Sequence, residues 1–137
     1  MKKQLALTAA MAGLFGVSLM STPVTAQAKY VKTPVSLRGK WRSKLQGTIK
    51  ITRYTFATYR AGHYQRLSGV KNWGGNLPGK QLIVSKRAHG YYLLGRRYTD
   101  DYTLLKRVRR NGRLALKNYV GGLGGPSHVY YYYKVNN

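Results

Sequence analysis

The sequence predicts an all-β fold, a small antiparallel up-and-down barrel or closed sandwich of about seven to nine strands. Three observations predict it. Apolar residues recur at every second position over short runs. Gly, Asn and Pro separate those runs at the spacing of an antiparallel sheet protein. Beyond residue 28, no stretch carries the 3.6-residue periodicity of a long amphipathic helix. Closure would also remove the exposed edges that Tyr-rich strands otherwise present.

The chain opens with a segment of a different kind. Lys2 and Lys3 precede the apolar run LALTAAMAGLFGVSLM (Leu5 to Met20), and the small-residue stretch STPVTAQA ends in Ala26-Gln27-Ala28. That order of basic, apolar and A-x-A regions predicts a secretory signal peptide over 1–28, with Ala26 and Ala28 at the −3 and −1 cleavage positions. The apolar run has 16 residues, broken by Gly13, Gly16 and Ser18, whereas spanning a bilayer takes roughly 20 apolar residues. The expected product begins at Lys29, is secreted, and carries no stable transmembrane anchor. There is no cysteine. A single domain without disulfides must therefore hold together by packing alone.

Each element can be placed in order. KYVKTPVSLR (29–38) reads as an extended leader, because Pro34 biases Thr33 toward an extended conformation. The barrel domain follows over 39–137. GKWRSKL (39–45) puts Trp41, Ser43 and Leu45 on one face, and TIKIT (48–52) pairs Ile49 with Ile51. The apolar phase then shifts to Tyr54, Phe56 and Thr58, which demands a bulge or a tight turn near Arg53. HYQRLSG (63–69) is a weak strand, and VKNWGGNLPGK (70–80) reads as a loop that exposes Trp73. KQLIVSK (80–86) and GYYLLGRRY (90–98) form a hairpin around His89-Gly90. LLKRVRR and RLALKNY flank Asn111-Gly112, the strongest short-range hairpin signal in the chain. A glycine loop, GGLGGPS, leads to the last strand, HVYYYYKV.

The leader TPVSLRGKW, the strand IKITRY, the hairpin LIVSKRAHGYYLLG and the Tyr-rich last strand together resemble a family of small secreted, lipocalin-like proteins of lactic acid bacteria. Gly39-Lys40-Trp41 is similar to the G-x-W that opens the first strand of lipocalins and related calycins. The resemblance implies export and barrel topology. It implies no catalytic residue.

Charge narrows the function. The chain carries 25 Lys and Arg against two acids, a net charge of +23 that becomes +21 once Lys2 and Lys3 leave with the signal. Such a surface attracts polyanions at long range. Asp100 and Asp101 are the only carboxylate side chains, and on an extended segment neighbours point to opposite sides. A two-carboxylate mechanism needs both aimed at one substrate. The pair reads instead as a loop neutralising nearby arginines. His63, His89 and His128 have no metal-ligand spacing, and no G-x-S-x-G or cysteine nucleophile exists. No catalytic, cofactor or metal site is therefore expected.

The expected site is cationic. KRVRRNGR (106–113) carries Lys106, Arg107, Arg109, Arg110 and Arg113 on both strand faces, so its tip should project into solvent and offer bidentate contacts to phosphate or carboxylate. Of the run Tyr130–Tyr133, one alternate pair should pack inward with Trp41. Tyr130 and Tyr132 are taken as the outward ledge, with Trp73 as a further aromatic contact. These features suit a non-enzymatic protein that is retained at the cell wall by charge. Its partners would be anionic envelope polymers or acidic glycans, with nucleic acid only as a non-specific polyanion. The alternatives are a carrier of a small apolar ligand or peptide in the barrel mouth, and a cationic membrane-active, bacteriocin-like protein.

Overall fold

The computed structural model describes residues 29–121 and 127–136. The signal segment with Ala26 and Ala28 lies outside these residues, as does most of the glycine loop.

Alternation builds the first strands. β1 (Gly39–Ser43) buries Trp41 and Ser43, and β2 (Gly47–Ile51) buries Ile49 and Ile51. Leu45 does not join that face. The Ser43 hydroxyl accepts the N–H groups of Leu45 (3.3 Å) and Gln46 (3.2 Å), so the chain turns and leaves Leu45 78% exposed. The phase change near Arg53 is a tight turn. Thr52 N–H donates to Thr55 O (3.0 Å), and Phe56 comes to pair with Ile51 as β3 (Thr55–Arg60) folds back.

β4 (His63–Ser68) follows as a full partner of β3. The segment expected to be a loop contains a two-stranded ribbon, β5 (Asn72–Gly74) and β6 (Leu77–Lys80). Gly74 and Gly75, at φ 111° and 59°, make its turn. Pro78 is tolerated because a two-stranded ribbon has only edges. β7 (Leu82–Lys86) and β8 (Tyr92–Arg96) flank a turn in which His89 has φ 61° and Gly90 φ 82°. β9 (Tyr102–Arg110) and β10 (Arg113–Val120) meet at Asn111-Gly112, both at positive φ as a type I′ turn requires. β11 (His128–Lys134) closes the series.

Nine strands form one antiparallel sheet in the order β4-β3-β2-β1-β11-β10-β9-β8-β7. The sheet curls into a nearly closed barrel in which the first and last strands are neighbours, Trp41 opposite Lys134 and Arg42 opposite Tyr133. An odd number of alternating strands brings the two edge strands round in the same direction, so an antiparallel ladder cannot seal the seam. Side chains bridge it. Ser68 N–H donates to Gln81 Oε1 (3.2 Å), and the Gln65 side-chain oxygen accepts from Arg96 Nε (3.2 Å).

The core is continuous through the barrel: Leu37, Trp41, Ile49, Ile51, Phe56, Leu67, Leu82, Leu94, Leu105, Leu116 and Tyr132. The leader belongs to it. Residues 29–34 form neither helix nor strand, Thr33 N–H donates to Arg53 O (2.9 Å), and a short 3₁₀ turn (Val35–Leu37) inserts Leu37 at 0% exposure. Leu37 O then accepts the Trp41 indole N–H at 2.9 Å, which satisfies the one polar atom of a buried tryptophan. The turn therefore plugs the barrel end that also carries the Asn111-Gly112 tip. At the other end lie the loops at 44–46, 61–62 and 97–101, and the described residues leave a cavity there.

Candidate polyanion-binding face and barrel mouth

The ladder register fixes where the basic finger sits. β8 pairs with β9 only as far as Tyr92 opposite Leu105, and β11 pairs with β10 only as far as Tyr133 opposite Ala115. Lys106 to Val108 therefore lie opposite residues that β11 still pairs, and only Arg109 and Arg110 with their partners Leu114 and Arg113 run on as a two-stranded tip past the sheet. Arg107, Arg109, Arg110 and Arg113 are exposed, while Lys106 is half-buried. Beyond Leu105 the strand carries cations on both faces, while Leu114 opposite Arg109 still packs against the core.

The ribbon is not a loose tip. The Arg110 guanidinium lies 4.1 Å from the Tyr131 ring centroid and donates Nη1–H to the Tyr133 hydroxyl at 2.8 Å. Arg113 lies 4.3 Å from the Tyr133 centroid. Arg109 donates to Gly112 O (3.1 Å), and the Lys106 ammonium sits 5.7 Å from the Tyr91 ring. Each such cation–π contact contributes about 0.5–1 kcal/mol at an exposed site. The layer they form leaves Ala115, beneath it on the outward face, at 0% exposure. The charges are pre-positioned, so less side-chain freedom is lost when an anion arrives.

These contacts reverse the expected phase of the tyrosine run. Tyr132 pairs with Leu116 in the core and is 6% exposed, and Tyr130 shares its face, half-buried, with His128 stacked 6.2 Å away. Neither is an outward ledge. Tyr131 and Tyr133 point out instead. The reason is the neighbour: inward Leu116 sets β11, and four identical residues offer no signal of their own. Trp73 is half-buried in β5, edge-on to Tyr98 at 5.6 Å.

Cross-strand pairing extends the cationic face sideways. Lys106, Lys117 and Tyr131 form one outward row; Ala115, Tyr133, Arg42, Thr48, Tyr59 and Tyr64 form the next. Lys40 opposite Lys50 continues the surface. No Asp or Glu side chain interrupts it, because Asp100 and Asp101 are at the other end. There, Arg96 Nε lies 4.0 Å from Asp101 Oδ2, and Thr99 Oγ1 accepts the Asp101 N–H at 3.1 Å. Asp101 thus leans on Arg96. His63, His89 and His128 stand on β4, the β7–β8 turn and β11, and among the described residues no three His, Cys, Asp or Glu side chains converge as a metal site.

The open end encloses a cavity of about 490 Å³ between the strand ends. Its wall mixes Thr58, Arg60, Thr103, Asn118 and Tyr132 with Ile49, Leu104 and Val120. Burial pushes the Tyr132 phenol up to about 12, with Arg60 pulling down and Tyr130 pushing further up. The hydroxyl is therefore a neutral donor at any physiological pH. Sequence reasoning missed this cavity because the ends of several separate strands make it. Among the described residues no helix is long and apolar enough to cross a membrane.

Comparison with known proteins adds nothing further. No protein-family model, curated protein or solved structure matches the chain.

Proposed function

We propose that this is a secreted, non-enzymatic protein that associates with anionic polymers of the cell envelope through the outward face of β9, β10, β11 and β1. One observation carries the reading: Arg110 and Arg113 are held on Tyr131 and Tyr133, within a surface that has no Asp or Glu side chain among the described residues. Arg guanidinium groups held flat and exposed present paired donors to phosphate or carboxylate oxygens. The surrounding lysines raise the local concentration of polyanion by long-range attraction. Exposed tyrosines add stacking area for the sugar or polyol parts of such a polymer. The net charge of +23 on the whole chain supports the same class of partner.

The test is retention on isolated cell walls. The protein should bind and be released by moderate salt, without turnover of the polymer. Retention that survives high salt, or release of soluble fragments from the wall, would contradict the proposal.

A further inference from the structure

The barrel mouth is lined by two largely buried polar side chains. Asn118 and Tyr132 are 5% and 6% exposed, and both line the cavity. Asn118 donates Nδ2–H to Leu104 O at 3.1 Å, which orients its Oδ1 away from that bond. Among the described residues, neither this Oδ1 nor the Tyr132 hydroxyl has a hydrogen-bond partner. Buried polar groups in native folds are almost always hydrogen-bonded. Two of them on one open wall leave hydrogen bonds for solvent or an occupant to supply.

The rest of the wall states the chemistry of that occupant. Thr58 and Thr103 add hydroxyls, each able to donate and accept. An apolar ligand would strand all four polar groups. Arg60 stands on one side and the Asp100-Asp101 rim on the other, with Asp101 already leaning on Arg96. In a chain of +23 this is the one place where positive charge is offset. An anion entering here meets the carboxylates, and a cation meets Arg60. A neutral ligand meets donors and acceptors of both kinds without a charge penalty. Tyr102 and Tyr119, 50% and 39% exposed, line the same cavity and offer ring faces to the C–H side of a sugar. The volume, about 490 Å³, lies within the 300–1,000 Å³ range of small-molecule sites.

We propose that the barrel mouth binds a neutral polyhydroxylated unit of monosaccharide to disaccharide size, held by Asn118, Tyr132, Thr58 and Thr103. This site is on the open end, away from the cationic ribbon, and does not rest on the polyanion reading. A lone sugar and a sugar unit borne on a polymer present the same hydroxyls to it.

The experiment is an amide chemical-shift titration of the secreted chain with methyl glucoside and with maltose, next to gluconate, glucosamine and a short-chain fatty acid. The neutral sugars should shift the amides of Thr58, Thr103, Asn118 and Tyr132 saturably, and should do so at lower concentration than the three other probes. Tyr132→Phe keeps the ring in the core and removes one hydrogen bond, so sugar affinity should fall about 3- to 10-fold while stability at neutral pH holds or rises. Thr103→Val should weaken binding similarly and provides a second variant should the first disturb packing. Absence of saturable shifts with either sugar overturns the proposal, leaving the mouth to water. Tighter binding of the fatty acid, shifts confined to Arg110 and Arg113, or unchanged affinity in both variants also overturns it.

Discussion

Replacing Lys106, Arg107, Arg109, Arg110 and Arg113 together with Gln should flatten the salt dependence of polyanion binding and leave the barrel folded. On duplex DNA, log affinity falls by about 0.9 per log unit of salt for each phosphate neutralised. Five contacts would then lose about 500-fold between 50 and 200 mM salt. The geometry lowers that figure. Lys106 is half-buried over Tyr91, and Arg109 is tied back to Gly112 O. Arg107, Arg110 and Arg113 are exposed, Arg110 with one N–H on Tyr133, and three contacts give about 40-fold on a polymer as dense as DNA. A sparser wall polymer gives a shallower slope of the same sign. The cost to the fold is small, since the two guanidinium–tyrosine stacks contribute about 0.5–1 kcal/mol each. The assay is fluorescence anisotropy of a labelled linear polyphosphate across a salt series, with urea melts alongside. The matched control replaces Lys29, Lys32, Lys44, Lys71 and Lys86, all exposed and spread along the chain. Equal loss in both sets would refute the special role of the ribbon. No loss in either would refute polyanion binding itself.

Other outcomes follow from the same structure. Tyr131→Leu with Tyr133→Leu should weaken polyphosphate binding several-fold by freeing Arg110 and Arg113, with the circular dichroism of the sheet unchanged. Leu105→Ala removes a side chain at 0% exposure and should cost about 2–5 kcal/mol in urea unfolding. Asp100→Asn with Asp101→Asn should leave polymer binding intact or tighter, and exposed ion pairs of this kind contribute only about 0–1 kcal/mol; a catalytic activity abolished by this change would overturn the non-enzymatic reading. The Tyr132 phenol, at about 12 against an ordinary 10, stays protonated in the fold at pH values where the unfolded chain has begun to ionise. Its contribution is complete below pH 10 and is lost as pH rises toward 12, by about 2–3 kcal/mol. Wild type should lose that much more stability than Tyr132→Phe between pH 9 and 12. N-terminal sequencing of secreted material should begin at Lys29; cell-bound protein still carrying Met1 would contradict the signal peptide.

The readable parts of the fold were those where local chemistry leaves one choice. Asn111-Gly112 accepts positive φ at both residues, and the strands on either side follow. The phase change between Ile51 and Phe56 had to be a bulge or a turn, and it is a turn. Other parts depend on partners that no local pattern names. Leu45 has the right spacing for the core, but the Ser43 hydroxyl captures the next N–H groups and ends the strand first. The ribbon at 72–80 looked like a loop because Gly and Pro dominate it, although two edge strands tolerate both. The basic finger was legible because charges on both faces forbid burial. Its tyrosine brace was not, because the phase of Tyr130–Tyr133 is set by Leu116 across the ladder. The mouth is a product of closure and has no continuous segment to read.

The central claim is that the braced ribbon is where a polyanion lands. Amide chemical-shift mapping with a linear polyphosphate at low salt tests it most directly. The account predicts the largest shifts at Arg107 to Arg113 and at Tyr131 and Tyr133, reversed by added salt, with the mouth residues Thr103 and Asn118 unmoved. Shifts of equal size over the whole surface, or shifts centred on the mouth, would contradict it.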